Sequence, residues 1–142
     1  VRAGKRLALD ANILLRGVFG VRVRELSDRY ADEIRFCSPD ICFDDARRYI
    51  PLLAARRGFA ASAGLEVLDG IARFVELVDR DLYEEYEGLA RASIASRDIA
   101  DWPVLATALL LQCPVWTEDR DFFGSGVATW TTATVEVYLR DV

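Results

Sequence analysis

The 142-residue chain carries 18 Lys plus Arg against 23 Asp plus Glu, has no His, and is 52% hydrophobic, which favours one globular domain over 1–142 and disfavours disorder. Without His, neither Ser-His-Asp nor Cys-His nucleophile systems nor His-ligated zinc can be built, so any acid–base chemistry falls to carboxylates. Cys37, Cys42 and Cys113 are odd in number with no CxxC spacing, which reads as buried reduced thiols. The longest apolar run, Val104 to Leu111, is too short to span a bilayer, and a soluble, cytoplasmic protein with no membrane association is expected.

Along the chain, Leu7-Ala8-Leu9 is a short apolar run closed by Asp10 and reads as a strand buried on both faces. A helical stretch is predicted from Asn12 through Glu33, then a second strand over Ile34 to Cys37. Ser38-Pro39-Asp40 supplies a turn and a helix start for an amphipathic segment to about Gly58, and another helix covers Ala60 to Ala72. Phe74 to Val78 reads as a third strand, Asp81 to about Ala95 as a helix with an acidic face, and Trp102 to Gln112 as a helix with Pro103 in its first turn. Pro114 to Thr117 and Val127 to Thr131 are the fourth and fifth strands, followed by a short helix near Thr134 to Leu139. Strand alternating with helix argues for a layered α/β domain with a mostly parallel sheet.

In such a sheet, sites form beyond the carboxyl ends of the strands, and the residues there are acidic. Asp10 ends the first strand, and Asp119 follows the fourth by two residues. Asp101 opens the helix before the fourth strand, as a helix cap or as a third member of the site. Helical geometry separates Asp44 from Asp45. At about 100° per residue, Cys42, Ala46, Tyr49, Ile50 and Leu53 make an apolar face, with Asp45 about 80° from its centre and Asp44 about 180° away. Asp44 then points to solvent, where Arg48 can pair with it. Asp45 sits at the rim, either paired to Arg48 or Arg56 or used by a cation.

Three stretches, Leu7-Ala8-Leu9-Asp10-Ala11-Asn12, Asp101-Trp102-Pro103-Val104-Leu105-Ala106-Thr107-Ala108 and Thr117-Glu118-Asp119-Arg120-Asp121-Phe122, resemble the PIN-domain nucleases, including the VapC-type toxins. The resemblance implies a three-layer α/β/α domain with a five-stranded sheet. It also implies a metal-dependent ribonuclease whose metal-binding and catalytic acids fall at Asp10, Asp45, Asp101 and Asp119, with Asn12 and Thr117 in support. Asp45 departs from the family pattern, which usually has Glu there. Asp98, three residues before Asp101, joins the site or caps the helix in its place, and Asp121 falls outside the pattern. The implied cofactor is Mg²⁺ or Mn²⁺, hard ions suited to a site of carboxylates alone. The resemblance further implies the toxin of a toxin–antitoxin pair, a homodimer with an antitoxin partner. The alternative is a non-catalytic protein-binding module of the same fold, with Phe59 to Gly64 packing a partner helix or simply its own neighbours.

Charge is unevenly placed. Residues 1–60 hold 12 basic and 8 acidic side chains, a balance of +4, whereas residues 61–142 hold 6 and 15, a balance of −9. An RNA substrate should therefore be held by the first half, and Arg16, Arg22 and Arg24, which follow the first strand, are the expected phosphate contacts. Receiver-type and haloacid-dehalogenase-like α/β proteins depend on a late lysine, but Lys5 is the only lysine. No GxGxxG follows the first strand, which sets dinucleotide binding aside.

Overall fold

The computed structural model, which describes residues 4–94 and 99–140, puts the apolar run Leu7-Ala8-Leu9 at the centre of a sheet. Strand β1 (Lys5–Leu9) pairs on one side with β2 (Ile34–Pro39) and on the other with β4 (Val115–Trp116). A strand with neighbours on both sides and helices on both faces has no solvent side, and these three residues are at most 2% exposed. Strands β3 (Val75–Val78) and β5 (Thr129–Trp130) flank this core in the order β3-β2-β1-β4-β5, with every pairing parallel.

The chain builds outward from β1 through β2 to β3, then returns to lay β4 on the opposite flank of β1. The carboxyl ends of β1 and β4 are thus the point at which strand order reverses, where an open α/β sheet leaves a crevice. Helices α1 (Ala11–Phe19), α2 (Arg22–Tyr30), α3 (Asp40–Arg56) and α4 (Ala61–Ile71) belong to the outward crossovers, and α1, α3 and α4 pack on one another. Helices α5 (Arg80–Tyr83), α6 (Glu87–Ser93) and α7 (Trp102–Leu111) belong to the return, which right-handed crossovers place on the other face. Helix α8 (Val135–Arg140) closes against α2. Helix α7 lies on β1, β2 and β4 beneath α5 and α6, which explains its apolar composition all round; every residue from Trp102 to Ala108 is buried.

Four elements differ from the sequence expectation. The helix expected from Asn12 to Glu33 is two, because Gly20 turns extended, its N–H closing on Arg16 O at 2.7 Å, and Val21 follows with no capping side chain. The acidic helix expected from Asp81 is α5, a 3₁₀ turn over Glu84–Tyr86, and α6. Tyr83 anchors its first turn by donating to Asp40 Oδ1 at 2.7 Å while Glu84 and Glu85 stay in water; its end at Ala95 lies outside the described residues. Strands β4 and β5 have only two residues each. Pro114 contributes its carbonyl, accepting from Ala8 N at 3.0 Å, but has no N–H for the ladder.

Of the small residues after Phe59, Gly64 packs inward, while Ala60, Ser62 and Ala63 are exposed. A β-carbon on Gly64 would stand 2.8 Å from Ile50 Cγ2, and Ile50 is fully buried. Gly64→Ala is therefore expected to cost about 1–3 kcal/mol through overpacking. Gly88→Ala, with nothing within 4 Å of the added carbon, should gain about 0.4–1 kcal/mol by restricting the unfolded chain. Urea unfolding of both variants measures the pair, and equal effects would contradict the close α3–α4 contact.

Candidate active site

Asp10 is the first residue beyond β1, and two constraints hold it. Its N–H donates to Trp116 O at 3.1 Å, extending the β1–β4 ladder by one bond, and its Oδ1 caps α1 by accepting from Ala11 N at 2.7 Å. Oδ2 accepts from the Thr117 hydroxyl at 2.8 Å and from the Asn12 amide at 3.2 Å. Thr117, one residue past β4, also accepts from Asn12 Nδ2 at 3.2 Å and from Asp119 N at 3.0 Å. Asn12 Oδ1 in turn accepts from Glu118 N at 3.2 Å. Asp119 Oδ1 then caps the short turn Arg120–Phe122 through Asp121 N at 2.9 Å, which makes Asp121 part of the turn. One network thus joins Asp10, Asn12, Thr117 and Asp119 across the ends of β1 and β4.

Asp10 is only 7% exposed. Burial pushes its carboxyl above the ordinary value of 3.8, opposed by the bonds from Thr117 and Ala11 and reinforced by the charges of Asp119 and Asp45. Asp45, half-buried on α3, is therefore close enough to be felt at Asp10. The Cys42 thiol, one turn earlier on the same helix, is pushed up by burial first and then by the charges of Asp10 and Asp45. Asp44 is exposed, as its helical angle requires. The partner expected for it goes elsewhere: Arg48 pairs with Asp45, because the i, i+3 fork reaches the rim carboxylate.

Asp101 stands half-buried where a 3₁₀ turn, Ile99–Asp101, passes into α7, and its carboxylate does not cap that helix. Because α7 runs back to deliver the chain to the amino end of β4, its start faces the same carboxyl edge as Asp10. Asp98 lies outside the described residues. Among the described residues no three His, Cys, Asp or Glu side chains are gathered tightly enough to enclose a metal ion.

Of the three arginines expected to hold phosphates, Arg16 and Arg24 are exposed, and Arg24 Nε donates to Gly20 O at 3.1 Å. Arg22 is drawn away: with Arg29 it clamps Glu136 of α8, at 3.0 and 2.9 Å, while Tyr30 OH donates to the same carboxylate at 2.9 Å. Asp40, which the sequence offers only as a helix start, follows β2 as Asp10 follows β1. It accepts from Tyr83 OH and, at 3.1 Å, from Arg80 N, which fastens α5 to the start of α3. The strand-end position was the signal.

The sequence pattern of the PIN domain matches residues 8–140. The chain belongs to the PIN domain family. The family is one of nucleases, which generally use divalent metals. Among curated proteins none is significantly similar in sequence. In fold, this PIN domain is similar to VapBC2 from Rickettsia felis bound to a DNA fragment from their promoter, at 12% identity and a TM-score of 0.70, covering 89% of this chain and 98% of that one. DNA-bound VapBC from Salmonella typhimurium has 17% identity and a TM-score of 0.68, with 90% and 98% covered. PAE2754 from Pyrobaculum aerophilum has 14% identity and a TM-score of 0.70, with 95% and 89% covered. Among the described residues no helix is long and apolar enough to cross a membrane.

Because the native state holds the Asp10 proton more tightly than the unfolded chain, Asp10 makes stability fall as pH rises from 3.8 through its raised value. Asp10→Asn removes that slope. In chelator, the melting temperature of Asp10→Asn relative to the unaltered PIN domain should shift upward between about pH 3.5 and pH 7. A gap independent of pH would show that Asp10 is not withdrawn from water.

Proposed function

We propose that this PIN domain is a metal-dependent endoribonuclease whose site is formed by Asp10, Asp45, Asp101 and Asp119. The observation that carries the reading is the hydrogen-bond network that holds the Asp10 and Asp119 carboxylates together through Asn12 and Thr117 at the strand-reversal point, with Asp10 nearly removed from water. Like charges so placed call for a cation. The donors fit a hard divalent ion, because all are carboxylate oxygens. Mg²⁺ commonly rests on one or two carboxylates and keeps several waters, so no tight enclosure by three side chains is required. When bound, Mg²⁺ or Mn²⁺ would supply an acidified water and a counter-charge for phosphoryl oxygens.

The remaining work belongs to the chain. Thr117 and Ala11 fix the two Asp10 oxygens and favour the charged form against burial. Asn12 ties Asp10 to Thr117 and to the backbone before Asp119, so the ends of β1 and β4 keep one spacing. Arg48 screens Asp45 when no cation is present, an exposed ion pair that exchanges readily. Arg16 and Arg24 are proposed to meet the phosphates of RNA. Toxin function in a toxin–antitoxin pair, with an antitoxin partner, belongs to the same proposal and is supported by the likeness of fold to the VapBC structures; a homodimeric state is proposed with it.

Cleavage of a structured RNA panel in Mg²⁺ or Mn²⁺ tests this. Asp10→Asn should reduce the rate at least about 100-fold, Asp45→Asn should weaken metal dependence and rate, and Asp44→Asn should change little. Mn²⁺ should raise the melting temperature of the unaltered protein. Cleavage persisting in Asp10→Asn, or no metal effect on melting, would leave a non-catalytic module.

A further inference from the structure

Beyond Asp10, α1 presents Arg16 at the surface about 9 Å of helix away and ends at Phe19, which forms a ridge between two hollows. One, of about 370 Å³, is lined by Arg16, Phe19, Leu53 and Arg57 among others; the second, of about 190 Å³, involves Phe19, Arg24 and Phe59. The Phe59 ring is 54% exposed and lies 6.1 Å from that of Phe19, tilted by 34°. The Arg57 guanidinium rests over the Phe19 ring at 5.1 Å. Among the described residues no carboxylate ion pair is formed by Arg16, Arg24 or Arg57, nor by Arg6, Arg56, Arg73, Arg120 or Arg140, but only Arg16, Arg24 and Arg57 of these line the two hollows. In an acidic protein, this is a place where positive charge without a carboxylate partner lies beside an exposed aromatic ring, Phe59, backed by the half-buried Phe19.

We propose that the Phe19–Phe59 ridge is a base-stacking subsite for single-stranded RNA, with Arg16, Arg24 and Arg57 meeting the adjoining phosphates. The inference rests on the ribonuclease reading and extends it to a surface outside the carboxylate site. Aromatic rings interleaved with guanidinium groups match a strand that alternates π-faces and phosphates. An acidic peptide would satisfy the arginines but leave the rings without planar partners. The end of the hollow nearest Asp10 in sequence is at Leu15 and Arg16, on the helix that Asp10 caps. The subsite is sequence-tolerant, since every base has a face to stack.

Binding of a labelled oligouridine of about ten nucleotides to the full chain in EDTA, where cleavage cannot occur, tests the subsite over a salt series. Arg16→Ala and Arg57→Ala should each weaken binding severalfold and lower the slope of log affinity against log salt by about 0.7. Phe59→Ala should weaken it about fivefold or more with the slope kept. Arg73→Ala, an exposed arginine at the far end of α4, controls for net charge and should change little. Variants as weak as Arg73→Ala, or competition by polyglutamate or inorganic polyphosphate equal to that of unlabelled RNA, would overturn the subsite. RNA cleavage separates the two readings: cleavage intact with a silent groove removes the subsite alone, whereas a responsive groove on a protein that never cleaves RNA removes the nuclease reading alone.

Discussion

Holding Asp10 at 7% exposure between two strands carries a desolvation cost that only directed hydrogen bonds or a counter-charge can offset. The fold offsets part of it locally, with Ala11 N–H, the Thr117 hydroxyl and the Asn12 amide all aimed at one carboxylate. Those donors come from α1 and from the exit of β4, so the bonds that satisfy Asp10 also fix the ends of two neighbouring strands. The topology makes this possible: because the chain reverses direction across the sheet beside β1, the exits of β1 and β4 diverge and leave their polar ends facing each other.

The division of charge follows the same geometry. Acids that face Asp10 raise the cost of its charge, whereas acids elsewhere are spent on assembly: Asp40 on Tyr83 and Arg80, Glu136 on Arg22, Arg29 and Tyr30, and Glu87 on Arg80 and Arg91. Glu87 sits beside a further packing device, in which Arg80 and Arg91 lie over the Trp102 ring at 5.4 and 5.6 Å and Tyr83 meets it edge-on at 5.6 Å. The residue that follows Asp101 is thereby gripped from the α5–α6 side, and the start of α7 inherits that restraint.

Much of the framework was legible in the residues themselves. An apolar run closed by Asp10 reads as an interior strand, and its acid then emerges at the carboxyl edge; the same holds for Pro114 to Thr117 and Asp119. The angle between Asp44 and Asp45 followed from helix periodicity and needed no tertiary information. Other features were hidden because they depend on contacts between segments distant in sequence. Arg22 reads as one more cation after β1, and only the arrival of α8 makes it the partner of Glu136. Asp40 reads as a helix start, and its hold on Tyr83 appears once α5 is folded against α3. The break at Gly20 was locally encoded, but the surrounding helical periodicity continues on both sides and masks it.

The two outermost strands have a consequence for how copies of the protein can meet. β5 offers two residues of ladder and β3 four, with Glu76 of β3 exposed and paired to Arg35. Edges so short and charged make poor templates for adding a strand from another molecule. Self-association that continues the sheet from one subunit into the next is thereby discouraged, and helical surfaces are left as the natural meeting ground.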